Sequence, residues 1–326
     1  MSKISIIGDG GWGTALAILL HTKGIDTTLW SISSEYAGYL SQKRENTKFL
    51  KGISLPEDLK ITADDDKIKG SDYVLFAVPC AHLRSISERF KGSGFRNIIS
   101  ATKGIENGSL MRPSEILNEY FPDSMISVLS GPSISYEVAT GIPTTAVVAS
   151  EGNDKKDIQA LLMTERFRVY TSSDVMGVEL GGALKNIIAI AAGISDGLGF
   201  GTNTKAAILT RGLAEITRLG SVMGADISTF RGLSGIGDLA TTCISGKSRN
   251  RCFGEEVGKG RKVDEILNET EMVVEGVGTC KSAYELSKKF NIEMPITQKV
   301  YEVVYEGKEA ALAVKELMTR EEKEED

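Results

Sequence analysis

Residues 4–20 read ISIIGDGGWGTALAILL. An apolar run breaks into a cluster of glycines, and a second apolar run follows at once. Gly8, Gly10 and Gly13 form G-x-G-x-x-G at the joint between a candidate strand and a candidate helix. The first glycine permits a tight turn out of the strand, the second lets backbone approach a pyrophosphate, and the third lets helix pack closely on sheet. The helix N-terminus then offers unpaired N–H groups and partial positive charge to phosphates. The motif alone is a weak signal. Its strand–turn–helix setting favours a dinucleotide site over a turn that only packs.

Such a site usually carries an acid at the end of the second strand for the adenosine ribose of NAD, or an arginine for the extra phosphate of NADP. Here the candidate second strand, 26–30 (DTTLW), runs into Ser31-Ile32-Ser33-Ser34-Glu35. No acid stands at Ser31 to repel a 2′-phosphate, which the serines could hydrogen-bond, and no arginine is in place either. The choice between NAD and NADP stays open at this point.

Outward from the glycine loop, β-rich runs alternate with helical stretches. Strands are expected at 3–7, 26–30, 73–78, 97–101, 126–129 and 144–149, and helices at 13–23, 35–42, 82–91, 112–120 and 155–163. That alternation predicts a doubly wound parallel sheet covered by helices on both faces. After about residue 173 strand signals fade, and helices are expected over 174–194, 204–224 and 279–290. Two domains follow: a dinucleotide-binding unit over 1–173 and a helical substrate unit over 174–326. The tail 320–326 (REEKEED) is expected to be unstructured.

Composition narrows the functions. A net charge of −6 argues against a nucleic-acid partner, since phosphate-backbone binders carry a basic excess. No run of 18 apolar residues is uninterrupted, so no stable membrane insertion is expected. Cys80, Cys243, Cys252 and Cys280 form no CxxC pair, and the histidines are His21 and His82 alone. Metal is therefore not expected, and free thiols fit a reducing compartment, with the cytoplasm as default.

Polar residues set among small ones mark candidate chemistry. Lys103 in ATKGIE follows a strand, and strand carboxyl ends line the crevice of an open α/β sheet. Gly131 and Ser133 in SGPS also follow a strand. Lys185 and Asn186 in ELGGALKN interrupt an apolar helix next to Gly181 and Gly182. Desolvation lowers a lysine's pKa and suits it to proton transfer near neutrality. In GIGDLATTCISGKSRNRC, Asp238 follows two glycines, while Ser248, Arg249, Asn250 and Arg251 supply consecutive donors, with arginine suited to a phosphate. Together these groups suggest a phosphorylated alcohol or ketone oriented against a nicotinamide, with a lysine moving the proton.

These motifs, in order along almost the whole chain (GDGGWGTALA, FAVP, SATKGIE, LSGPS, VELGGALKN, GLSGIGDLATTC, KSRNRCFG and VVEGV), resemble the bacterial-type NAD(P)-dependent glycerol-3-phosphate dehydrogenase family. The resemblance implies an α/β N-terminal Rossmann-like domain and an all-α C-terminal domain like that of 6-phosphogluconate dehydrogenase. It implies reversible reduction of dihydroxyacetone phosphate to sn-glycerol 3-phosphate with NAD(P)H, supplying glycerophospholipid synthesis. By the same resemblance Lys185 and Lys103 are catalytic. Lys103, Gly131, Ser133, Lys185, Asp238, Ser248, Arg249 and Asn250 form the substrate set. Gly8, Gly10, Gly11, Trp12, Gly13, Lys103, Ser135, Arg249, Val273 and Glu275 contact the cofactor. The partners are small molecules, and a homodimer is compatible with this reading but not fixed by the sequence.

Family loops often read GNGSWGT, whereas this chain has Asp9 and Gly11, and the arginine common after strand two is missing. A carboxylate at Asp9 near a pyrophosphate is unfavourable unless it points away. The rivals are another 6-phosphogluconate- or ketopantoate-type reductase and a non-catalytic dinucleotide-binding redox sensor.

Overall fold

The computed structural model describes residues 2–152, 154–322 and 324. The expected unstructured tail falls partly outside these, at 323, 325 and 326. Eight strands form one sheet: β1 (Lys3–Ile7), β2 (Asp26–Trp30), β3 (Lys60–Thr62), β4 (Tyr73–Phe76), β5 (Asn97–Ser100), β6 (Met125–Ser130), β7 (Thr144–Ala149) and β8 (Phe167–Ser172). Among them lie α1 (Gly11–Thr22), α2 (Ser34–Lys43), α3 (Cys80–Arg89), α4 (Pro113–Tyr120), α5 (Ser135–Ala139) and α6 (Lys155–Leu162). The chain continues with α7 (Val175–Gly197), α8 (Thr202–Met223), α9 (Asp238–Ile244), α10 (Arg249–Gly258), α11 (Val263–Glu269), α12 (Glu275–Phe290), α13 (Pro295–Tyr305) and α14 (Ala310–Met318).

The strand order is β3-β2-β1-β4-β5-β6-β7-β8. The first six follow the 3-2-1-4-5-6 order of a Rossmann sheet, whose direction of winding reverses between β1 and β4 and leaves a crevice there. Side chains on these strands are buried on both faces, as the apolar runs require. Ile4, Ile6 and Leu75 pack toward α1, whereas Ile7, Val74 and Phe76 pack toward α3 and α4.

The sheet departs from the parallel expectation at its far side, where β7 pairs antiparallel with β6 and β8 then pairs parallel with β7. A parallel crossover needs a dozen or more residues and usually a full helix. The β6–β7 connection, residues 131–143, has that length but carries only the five-residue α5 and no full helix. Strands β3 and β8 were also not expected. The first has three residues, and the second is an edge strand with Arg168 and Tyr170 facing water.

The helical unit is built on α7, which is buried along most of its length. By length and composition this helix could cross a membrane, yet 89% of its most apolar window is buried inside the protein. It packs backbone against backbone on α10. A Cβ at Gly193 or Gly197 would strike backbone atoms of Arg251, Glu255 or Gly258, and a Cβ at Gly254 or Gly258 would strike the carbonyls of Ile190 or Ile194. Two glycines four residues apart on each helix thus set the register of α10 against α7. Helices α9, α10, α11, α13 and α14 lay outside the sequence expectations; all are short, and α10 and α11 are rich in charge.

Glu179 on α7 ties the helical unit to the sheet unit. Its carboxylate accepts from Arg112 Nη1 at 2.7 Å and from the Ser114 amide and hydroxyl at 2.8 and 2.6 Å.

The α7–α10 contact generates a stability prediction. Gly254→Val places side-chain atoms against a fixed carbonyl, and overpacking of this kind costs about 1–3 kcal/mol or more. Gly38→Ala, at an open helical position on α2, should instead gain up to about 1 kcal/mol. Urea midpoints of the two variants are expected to move in opposite directions.

Candidate active site

Two adjoining cavities open at the carboxyl ends of the central strands. The larger, about 470 Å³, follows the glycine loop toward Trp30 and Ile32. The smaller, about 250 Å³, lies between Lys103 and Lys185 on one side and Ser248, Arg249 and Asn250 on the other. Trp12, Pro79, Ser135 and Arg249 line both.

The glycine loop has the shape a dinucleotide requires. Gly8 takes φ +117°, and a Cβ there would meet the Ala77 carbonyl. A Cβ at Gly13 would collide with the Gly8 carbonyl, so Gly13 serves packing and does not line the cavity. Gly10 is the N-cap of α1 and has no side chain to cap the first amides of the helix, which face the cavity beside Gly11 and Trp12. The Trp12 indole N–H is buried without a hydrogen-bond partner. A phosphate-bearing ligand fits this set of donors.

Asp9 turns its carboxylate toward the end of β2, where Oδ2 accepts from the Ser31 hydroxyl at 2.5 Å. Burial holds the Asp9 pKa above the usual range, opposed by that hydrogen bond. Ser31 is fully buried, and the Ser33 hydroxyl accepts from the Tyr36 amide as the N-cap of α2. Of the serines expected to be able to hold a 2′-phosphate, Ser31 is thereby withdrawn, its hydroxyl committed to Asp9 and buried, whereas Ser33 uses its hydroxyl oxygen only as an acceptor.

In the smaller cavity a single carboxylate bridges two lysines. Asp238, 1% exposed at the start of α9, accepts from Lys103 Nζ at 2.6 Å and, through its other oxygen, from Lys185 Nζ. Lys185 Nζ also donates to Thr242 Oγ1 at 2.7 Å, and Lys103 Nζ to the Gly131 carbonyl at 3.2 Å. Burial pushes the Lys185 amine down to about 7; Asp238 opposes that shift and Lys103 adds to it. The result is a poised amine in a cluster of net positive charge, suited to proton transfer and to a developing oxyanion.

This approach depends on glycines in α7. A Cβ at Gly181 would strike the Ser234 carbonyl, and one at Gly182 would strike the Ser130 hydroxyl beside the Lys103 stem.

Across the cavity, α10 begins with Ser248 as N-cap, accepting from the Arg251 amide at 3.3 Å. Arg249 makes no hydrogen bond or ion pair among the described residues. It remains open to water in the cleft, although the walls crowding it lower its pKa. Nearby Glu275 is pushed up to about 7 by burial, with Arg249 pulling the other way. Asn250 bridges two helices, donating to Asn186 Oδ1 at 2.9 Å and accepting from the Gly276 amide at 2.8 Å.

Of the residues singled out in the sequence, Lys103, Ser133, Ser135, Lys185, Ser248, Arg249, Asn250 and Glu275 line the smaller cavity, and Val273 lines the larger. Gly131 and Asp238 sit behind the wall and act on Lys103 or Lys185. Arg251 turns away: its Nη1 donates to Asp196 at 2.5 Å, so its donors do not reach the cavity. Thr242 and Lys247 were missed. Thr242 lies one helical turn after Asp238, which could have signalled it. Lys247 precedes the SRN run, lines both cavities and stands 3.2 Å over the Tyr136 ring.

Residues 3–156 match the family profile of the NAD-dependent glycerol-3-phosphate dehydrogenase N-terminus, and residues 174–315 match that of its C-terminus. A glycerol-3-phosphate dehydrogenase (NAD(P)+) of Thermoanaerobacter sp. strain X514 is 49% identical, covering 99% of this chain and 98% of that protein. One from Chlorobium chlorochromatii is 47% identical, covering 98% of each. The crystal structure of glycerol-3-phosphate dehydrogenase from Coxiella burnetii superimposes with a TM-score of 0.94 at 38% identity, covering 98% of this chain and 99% of that one.

The bridging carboxylate generates the second prediction. Asp238→Asn leaves the buried Lys185 amine and the half-buried Lys103 amine without their counter-ion, and loss of one partner from such a cluster costs about 3–5 kcal/mol. Denaturant titration at neutral pH should show that loss, and Thr242→Val should cost less.

Proposed function

The chain belongs to the NAD-dependent glycerol-3-phosphate dehydrogenase family, and from that membership we propose how its own residues carry out the reaction. It reduces dihydroxyacetone phosphate to glycerol 3-phosphate with NAD(P)H, a step that serves lipid metabolism. The bound dinucleotide supplies the hydride to C2 of the substrate, or accepts it in the reverse direction.

Lys185 gives a proton from Nζ to the C2 oxygen during reduction and takes it back during oxidation. Lys103 adds positive charge beside that oxygen as negative charge develops on it. Asp238 is a positioning residue: it holds both amines and reaches the substrate only through them. Arg249, without a hydrogen bond or ion pair among the described residues, and the Ser248–Asn250 corner bind the substrate phosphate, so that binding energy remote from C2 orients the reacting carbon. Gly131 and Ser133 support that end of the cavity; Ser133 donates to the Gly131 carbonyl at 3.0 Å. For the dinucleotide, the amides at the start of α1 take the pyrophosphate. Gly8, Gly10 and Gly13 shape that turn, Gly11 and Trp12 line it, and Lys103, Ser135, Arg249, Val273 and Glu275 form the remaining contacts.

The observation that carries this reading is the buried amine of Lys185, held near neutrality opposite an arginine that makes no hydrogen bond or ion pair among the described residues. A redox sensor would need neither. The proposed domains are 1–173 for the dinucleotide and 174–326 for the substrate. A cytoplasmic location is also proposed, supported by four free cysteines.

Steady-state oxidation of NADH or NADPH by dihydroxyacetone phosphate tests the roles. Lys185→Ala is expected to lower kcat by about 10²–10⁴-fold, and near-normal turnover would remove Lys185 from proton transfer. Arg249→Ala is expected to raise KM for the phosphorylated substrate strongly, and an unchanged KM would remove Arg249 from the phosphate site.

The pH dependence has a defined sign. Reduction needs the charged amine, and that fraction falls as pH rises through about 7. Oxidation needs the neutral amine, so kcat for glycerol 3-phosphate should rise over the same interval. Two profiles moving in parallel would contradict Lys185 as the group that exchanges the proton.

A further inference from the structure

We propose that Asp9 makes this enzyme select NADH over NADPH, its carboxylate standing where the second strand of a Rossmann sheet usually supplies the ribose-binding acid. The inference rests on the dinucleotide reading of the larger cavity.

The usual position is empty of acid here, because β2 ends at Trp30 and Ser31 follows. The charge comes instead from the glycine loop. Asp9 Oδ2 accepts from the Ser31 hydroxyl at 2.5 Å, which fixes the carboxylate at the carboxyl end of β2. No other side chain hydrogen-bonds this carboxylate among the described residues, and Asp9 lines the cavity together with Trp30 and Ile32.

The loop that carries it is rigid. The Asp9 carbonyl accepts from Asn46 Nδ2 at 2.7 Å and from Thr14 Oγ1 at 3.1 Å, and both partners are fully buried. Asn46 is itself held by the Tyr36 hydroxyl at 2.7 Å. A carboxylate fixed in this way accepts from a ribose hydroxyl without reorganising, as the strand-end acid of an NAD site does.

A 2′-phosphate in the same place would bring two anions together beside a partly buried wall, where their repulsion is stronger than in water. The neighbouring cations are largely committed. Arg89 pairs with Asp65 at 2.7 Å and lies over the Trp30 ring; Lys48, whose charge acts on Asp9, is tied to Glu271 at 3.1 Å by an exposed and therefore weak ion pair. Lys51 also lines the cavity, and a 2′-phosphate would have to rely on it. Discrimination is a difference between two affinities, and the repulsive element supplies the larger part of it here.

Direct binding of four probes to the whole chain tests this, with no turnover needed. Calorimetry with NADH, NADPH, 5′-AMP and 2′,5′-ADP separates the adenosine end from the rest of the ligand. The wild-type protein is expected to bind NADH about tenfold or more tightly than NADPH, with the same order for 5′-AMP over 2′,5′-ADP. Asp9→Asn keeps the size of the side chain and should cut that preference by about tenfold, mainly by tightening NADPH. Asp9→Ser should do the same if the amide perturbs the loop. NADPH bound as tightly as NADH by the wild type, or a preference unchanged in both variants, overturns the proposal. Failure of the wild type to bind either dinucleotide overturns the dinucleotide reading beneath it.

Discussion

The site is organised around a carboxylate with almost no access to water, clamped between two amines from different parts of the chain. Lys103 comes from the sheet unit, Lys185 from α7, and Asp238 from the start of α9. With both lysines charged, the cluster carries one net positive charge. Burying three ionised groups is costly, and a well-packed apolar set would be as stable or more so. The arrangement is better understood through chemistry than through stability. Burial lowers the Lys185 pKa to about 7, with Asp238 opposing the shift and Lys103 adding to it, into the range where an amine can both give and take a proton; in the proposed mechanism the surplus positive charge of the cluster meets negative charge growing on a carbonyl oxygen.

Everything around that cluster limits how it can move. Glycines at 181 and 182 let α7 approach the Ser234 carbonyl and the Ser130 hydroxyl, bringing Lys185 within reach of Asp238. About three and four turns further along the same helix, Gly193 and Gly197 seat α10 at backbone contact. That register fixes the start of α10, and hence Arg249 and Asn250, relative to Lys185. The Asn186–Asn250 hydrogen bond at 2.9 Å closes the frame between the two helices. Glu179, on the same helix, anchors α7 to the sheet unit through Arg112 and Ser114. One helix therefore sets the Lys185 amine proposed to carry the proton, the opposite wall and the joint with the sheet.

How much of this was legible follows from which constraints are local. The glycine loop was readable because backbone geometry demands glycine at Gly8 and Gly13, whatever surrounds them. The six buried strands were readable as apolar runs. The three-residue β3 and the solvent-facing β8 were not, since neither is apolar enough to stand out. The antiparallel turn into β7 depends on the shortness of α5, which composition does not show. Lys103 and Lys185 stood out as amines among small or apolar neighbours. Asp238 was singled out too, but not as their common partner, because it is 135 residues from one and 53 from the other. The same limit explains Arg251: four donors in a row suggested one surface, but a helix turns successive side chains about 100° apart and sends Arg251 to Asp196.

Asp9 shows where local reading and three-dimensional reading part. In the sequence it is a charge in a phosphate loop, which counts against binding. In the fold, the side chain leaves the start of α1 and meets Ser31 at the end of β2. In the proposed dinucleotide reading, the pyrophosphate end of the cavity faces the uncapped amides of α1, while the acid stands at the ribose end. A negative group only a short way from a phosphate site is tolerable when the hydrogen bond to Ser31 and the Asn46–Thr14 clasp hold it at the far side of the loop. The substitution that looks unfavourable one residue at a time thus restores, from the first strand's turn, the charge that the second strand lacks.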